Sequence, residues 1–132
     1  MVEKLEIKET FDTPYINFDP LNGELRIEGK SYPANVTEFY EPVFSWLNEY
    51  FKQPAYETTL HLKLDYFNTA SSKILMDLLY KLEDIHNRFN YKIKVVWHYP
   101  EDDEDIYETG LEYSELIDLP FELKSYKFIS EK

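Results

Sequence analysis

The residues best suited to chemistry fall in two short segments and one pair. Asn68-Thr69-Ala70-Ser71-Ser72-Lys73 places three hydroxyls at the start of an apolar helical repeat. Asn68 or Thr69 can cap that helix by lending an oxygen to free backbone N–H groups. A hydroxyl there can also accept a phosphoryl group, whose charge of about −1.5 to −2 suits the free donors and the helix dipole. The two roles are compatible, and Lys73 adds a favourable charge one turn on. The second segment is Glu101-Asp102-Asp103-Glu104-Asp105. Its oxygens suit magnesium or calcium, yet it lacks the alternating acids and central Gly of an EF-hand loop, and a run of acids is most often a solvated loop. The pair is His61 and His98, which lack a third ligand for zinc, and two such histidines more often sit as residues of a sheet surface. A Ser or Thr triad would need a base, but His86 lies inside a helical repeat and no nucleophile-elbow sequence precedes Ser71. There is no Gly-rich phosphate loop. No catalytic constellation emerges, and a non-enzymatic protein without a cofactor is expected.

The elements that must position these residues follow from periodicity. Leu5–Glu9, Tyr15–Asp19 and Glu24–Glu28 read as strands, the last two joined as a hairpin by Pro20-Leu21-Asn22-Gly23. Asn35 can cap a helix bearing Val36, Phe39, Tyr40, Val43, Phe44, Leu47, Tyr50 and Phe51. Pro42 lies within it, so either this helix kinks or Glu38–Glu41 is a separate turn. Leu60, Leu62, Leu64 and Tyr66 alternate with polar residues as a strand buried on one face. From Ala70 the apolar residues Ile74, Leu75, Leu78, Leu79, Leu82, Ile85 and Phe89 follow helical spacing. Ile93, Val95, Trp97 and Tyr99 form another one-sided strand, Glu104–Ile117 a shorter helix weakened by Gly110, and Phe121–Phe128 a last strand.

Strand, helix, strand over this stretch is a βαβ unit, whose right-handed crossover brings the loops Phe67–Thr69 and Tyr99–Asp105 to one edge of the sheet. That edge is where open α/β sheets place their function. His61, Lys63, Lys94 and His98 point away from the helices, so the helices cover mainly one side.

Composition bounds the partners. The chain has 132 residues and a formal net charge of −12, which disfavours nonspecific binding to nucleic acid or anionic membrane. Between Lys94 and Lys124 there is no Lys or Arg, while ten of the 26 acids fall there, so the charge is concentrated near the proposed edge. Aromatic residues make up 17%, too many for an acidic disordered tail. The absence of cysteine removes disulfides and thiolate sites and suits a reducing compartment. With no secretory core at the N-terminus and no apolar run of membrane length, a cytoplasmic protein of one domain, 1–132, is expected.

Leu64-Asp65-Tyr66-Phe67-Asn68-Thr69-Ala70-Ser71-Ser72-Lys73 resembles the SiaC family of bacterial regulatory phosphoproteins, small domains similar to the STAS fold. Thr13-Pro14-Tyr15-Ile16, Phe18-Asp19-Pro20, Gly29-Lys30-Ser31-Tyr32-Pro33, Glu38-Phe39-Tyr40 and Glu101–Asp105 resemble further family motifs in the expected order. The resemblance implies an α/β fold: a STAS-like domain with a mixed sheet, an N-terminal hairpin and helices packed mainly on one face. It implies that Thr69 is phosphorylated by a dedicated kinase and dephosphorylated by a PP2C-type phosphatase. It also implies that the unphosphorylated form activates a diguanylate cyclase, raising cyclic di-GMP and favouring aggregation or biofilm growth. Ala70 stands where the family often has Ser, and Ile106-Tyr107 replace its more usual Met-Leu.

The expected partner surface comprises Tyr66, Phe67, Asn68, Ser71, Ser72, Lys73, Tyr99, Glu101, Asp102, Asp103, Glu104 and Asp105. A second reading, from another class, is a metal-dependent phosphoester hydrolase using the Glu101–Asp105 loop.

Overall fold

The computed structural model describes residues 2–127, so Phe128 of the expected last strand lies outside the described residues. Six strands, β1 (Leu5–Ile7), β2 (Tyr15–Asp19), β3 (Glu24–Ser31), β4 (Glu57–Phe67), β5 (Lys92–Pro100) and β6 (Phe121–Tyr126), form one mixed sheet. Their order in space is their order in the chain. The pairs β1/β2 and β2/β3 are antiparallel; β3/β4, β4/β5 and β5/β6 are parallel. Three crossovers carry α1 (Val36–Tyr50), α2 (Thr69–Phe89) and α3 (Glu104–Leu116). With parallel strands in chain order, crossovers of the usual right hand put all three helices on one face.

Alternation in the strands supplies the other half of that core. Ile16, Phe18, Leu25, Ile27, Leu60, Leu62, Leu64, Ile93, Val95 and Trp97 are buried and form one cluster with Val43, Leu47, Leu75, Leu78, Leu79 and Leu82 of the helices. At 0.8 kcal/mol or so for each buried methylene, this cluster is the main stabilising term. Helix α1 is continuous through Pro42, so Glu38–Glu41 is not a separate turn. Both Glu38 and Pro42 are exposed, which leaves the carbonyl deprived of its partner on the water side. The first strand stops at Ile7, two residues earlier than its pattern suggests, because a Thr10–Thr13 turn intervenes.

One irregularity matters for the site. Leu64 pairs with Gly29 but Tyr66 pairs with Lys30, leaving Asp65 as an extra residue in β4. Such a bulge reverses the alternation beyond it. Tyr66, expected on the buried face, is 51% exposed and meets Tyr32 edge-on, while Phe67 turns inward against Trp97. Gly29 meets the bulge with φ +110°, a conformation that favours glycine.

Among the described residues, the opposite face carries no helix. There His61 Nδ1 lies 2.9 Å from His98 Nε2, and His61 Nε2 lies 3.3 Å from Glu24 Oε2. Burial first, then His61, Lys124, Lys63 and Arg26, push His98 down to about 4 from an ordinary 6.5. His61 is lowered too, by burial and Arg26, against the pull of Glu24 and Glu28. The unfolded chain therefore binds protons that the folded chain refuses, and stability present above pH 6.5 is lost as pH falls toward 4. Thermal melts should show a midpoint that declines from pH 7 to 4.5, with a shallower decline in His98→Gln.

Candidate functional site at the C-terminal edge of the sheet

Helix α2 begins where β4 ends. Asn68 is its cap: the side-chain Oδ1 accepts the Ser71 N–H at 2.9 Å, and its carbonyl accepts the Ser72 N–H at 2.9 Å. The choice between Asn68 and Thr69 as cap is thereby resolved. Thr69 is the first helical residue and is exposed, and Ala70 beside it is exposed as well. The Thr69 hydroxyl is thus free of the capping duty, next to backbone donors of a helix 21 residues long.

Beside it, β5 ends at Pro100 and the acidic loop turns into α3. Asp103 caps that helix through Oδ1, which accepts the Ile106 N–H at 3.0 Å. Glu101 is held by its backbone, the N–H donating to the Tyr126 carbonyl at 2.8 Å. Glu101, Asp102, Glu104 and Asp105 are exposed. Asp65, Pro100, Asp102, Asp103, Glu104 and Asp105 line an open pocket of about 650 Å³. Thr69 is not among them: the hydroxyl and the acids share an edge, not a pocket.

Two groups that the sequence pattern did not single out join these loops. Tyr126 donates to Asp65 Oδ1 at 3.2 Å under the Lys63 ammonium, which lies 4.6 Å from its ring centre. Burial, then Asp65, push the Tyr126 phenol up to about 12, so it stays a donor. Tyr113 of α3 donates to the Ser72 carbonyl at 3.1 Å and also meets the Ser72 hydroxyl, fastening α3 to the first turn of α2. Neither tyrosine carries a local signal, since each reaches the site from an element more than 40 residues away. Asp65 was legible only as one polar position in an alternating strand, and the bulge that brings it to the edge has no sequence mark.

The expected surface residues divide accordingly. Tyr66 and Lys73 are exposed, Phe67, Asn68, Ser72 and Tyr99 are half-buried, and Tyr99 leans on Tyr107 with ring centres 5.0 Å apart. Ser71 is a correction: it is fully buried, its hydroxyl aimed at Ser31, and no partner can touch it. Asp103 is half-buried and spends one oxygen on its cap. Replacing Asp103 by Ala should cost about 1 kcal/mol in chemical denaturation, while Asp103→Asn, which keeps the acceptor, should cost little. Among the described residues, no three His, Asp or Glu side chains converge as a metal site requires. No helix among the described residues is long and apolar enough to cross a membrane.

Comparison with known proteins agrees with this arrangement. A protein of Pseudomonas aeruginosa (strain UCBPP-PA14) with no assigned role is 33% identical over 122 residues, covering 92% of this chain and 96% of its own. The crystal structure of apo-SiaC from Pseudomonas aeruginosa matches with a TM-score of 0.84 at 32% identity, over 93% of this chain and 99% of that one. A chain in the structure of the diguanylate cyclase SiaD with its activator SiaC, from the same organism, matches with a TM-score of 0.86 at 33% identity, over 92% of this chain and 99% of that one. The model of the SiaC family regulatory phosphoproteins matches residues 7–126, and the chain belongs to that family.

Proposed function

We propose that the chain acts as one regulatory domain whose output is set by the phosphorylation state of Thr69. A dedicated kinase adds the phosphate and a PP2C-type phosphatase removes it. The unphosphorylated form binds and activates an effector, a diguanylate cyclase, and so raises cyclic di-GMP and favours aggregation or biofilm growth. The protein itself catalyses nothing and works in the cytoplasm.

The observation that carries this reading is the exposed hydroxyl on the first residue of α2, beside a cap that leaves it unengaged. A phosphate there is tolerated by the free chain, because the helix start offers unpaired N–H groups and the positive end of its dipole. The solved complex of a family member with a diguanylate cyclase supports the choice of effector. Tyr66 and Phe67 at the end of β4 and Tyr99 near the end of β5 supply aromatic rim contacts, and Lys73, Asn68 and Ser72 supply polar ones. The acids of the neighbouring loop set the field into which the phosphate is placed.

A pull-down with the wild-type chain, Thr69→Ala and Thr69→Asp, read by mass spectrometry, tests site, partners and direction together. Thr69→Ala should retain the effector and resist phosphorylation, and Thr69→Asp should weaken capture. Phosphate found on another hydroxyl, with Thr69 unmodified after co-expression with the kinase, would overturn the reading.

A further inference from the structure

Directly behind the exposed Thr69 lies a row of three buried hydroxyls. Tyr40 Oη of α1 is 2.7 Å from Ser31 Oγ at the end of β3, and Ser31 Oγ is 2.9 Å from Ser71 Oγ in the first turn of α2. Ser31 and Ser71 have no exposed surface and Tyr40 has 1%. The Ser31 carbonyl also accepts the Asn68 N–H at 3.2 Å, and Asn68 in turn caps Ser71. Backbone and side chain of one residue, Ser31, thus hold both ends of the cap.

Packing alone does not call for this chemistry. The inward face of α2 continues with Leu75, Leu78, Leu79 and Leu82, all buried, and an apolar side chain at 71 would extend that stripe. Burying three hydroxyls has a desolvation cost that their mutual bonds do little more than offset. What hydrogen bonds add is direction: apolar contacts allow a helix end to turn or slide, whereas a bond of fixed length and angle does not. Ser71 faces inward two residues after Thr69 faces outward, so fixing one fixes the bearing of the other.

We propose that Ser31, Tyr40 and Ser71 are a positioning array, which sets the rotation of the first turn of α2 and so aims the Thr69 hydroxyl at an incoming phosphoryl group. This rests on Thr69 being the acceptor. In the transfer, Thr69 Oγ1 forms a bond to the terminal phosphorus of a nucleoside triphosphate. The bond from that phosphorus to the diphosphate leaving group breaks, and the hydroxyl proton passes to a base of the kinase. Transfer of this kind depends on alignment, and an error of about 1 Å can cost as much as about a hundredfold in rate.

The test is steady-state phosphorylation of purified chain by its kinase, with ATP labelled at the terminal phosphate and the product mapped. The variant Ser31→Ala, Tyr40→Phe, Ser71→Ala removes all three hydroxyls together and leaves none buried without a partner. Its thermal midpoint should stay close to wild type while kcat falls about tenfold at an unchanged KM, since the docking surface is intact and only alignment is lost. A wild-type kcat, or a fall matched by an equal loss of folded protein, overturns the proposal. Should the triple variant not fold, Tyr40→Phe decides: kcat below half the wild-type value at unchanged KM supports the array, and a wild-type kcat overturns it. Wild-type chain labelled at a residue other than Thr69 removes the acceptor reading, and the array's role with it.

Discussion

Phosphorylation of Thr69 should weaken the complex with the effector by at least about a hundredfold, roughly 3 kcal/mol. The terms that decide this are unequal. In the free chain the phosphate is solvated and gains about 0.3 to 1 kcal/mol from the helix start. Covered by a partner, it must shed its water, and an unpaired dianion in a dry contact costs several kcal/mol. Asp65, Asp102, Glu104 and Asp105 on the same edge add repulsion that water no longer screens. Calorimetry of the phosphorylated and unphosphorylated chains against the same effector checks the magnitude, and equal or tighter binding of the phosphorylated form would refute it. Because no folded-state contact of the Thr69 side chain is lost, the two forms should melt within a few degrees of each other. A switch of this kind would act on association and leave folding alone.

Gly110→Ala should destabilise the protein by roughly 2 kcal/mol, against the usual sign for a glycine within a helix, where alanine is favoured by about 1 kcal/mol. Gly110 is buried, and a methyl group built on it would overlap the five-membered ring of the Trp97 indole. Trp97 has little freedom to retreat. It is 1% exposed, donates to the Ile106 carbonyl at 3.0 Å, and meets both Phe67 and Tyr113 edge-on. Helix α3 would have to lift from β5, carrying Tyr113 away from Ser72. A fall of about 5 to 8 °C in the thermal midpoint is expected for a domain of this size. An unchanged or raised midpoint would show that α3 does not depend on this close approach.

The same glycine marks the boundary of what the sequence discloses. As a letter in a helical repeat, Gly110 reads as a weakness of α3; only the packed structure reveals it as the space in which Trp97 sits. Local chemistry was legible: a cap at Asn68 or Thr69, the hairpin at Asn22-Gly23, the alternation of β4 and β5, and the βαβ unit that brings the two loops together all follow from spacing and residue type. Facts that depend on a third element were not. The inward turn of Ser71 needs Ser31 and Tyr40, the exposure of Tyr66 needs the bulge opposite Gly29, and the link from Asp65 to Tyr126 needs β6 in place. Pro42 was ambiguous because its cost depends on which side of α1 meets water. Each miss is a tertiary term overriding a local preference.

A sheet whose strands lie side by side in chain order also has a direction in time. As the chain leaves the ribosome, each parallel strand pairs with a neighbour that has already emerged. The edge that carries Thr69 is the exception. The Tyr113 fastening of α2 and the Tyr126 contacts to Glu101 and Asp65 come from the last quarter of the chain. A nascent or truncated product would therefore contain Thr69 long before its surroundings were finished, and only completed molecules would offer the kinase and effector the assembled edge. Synthesis itself would then act as a quality check on the signal.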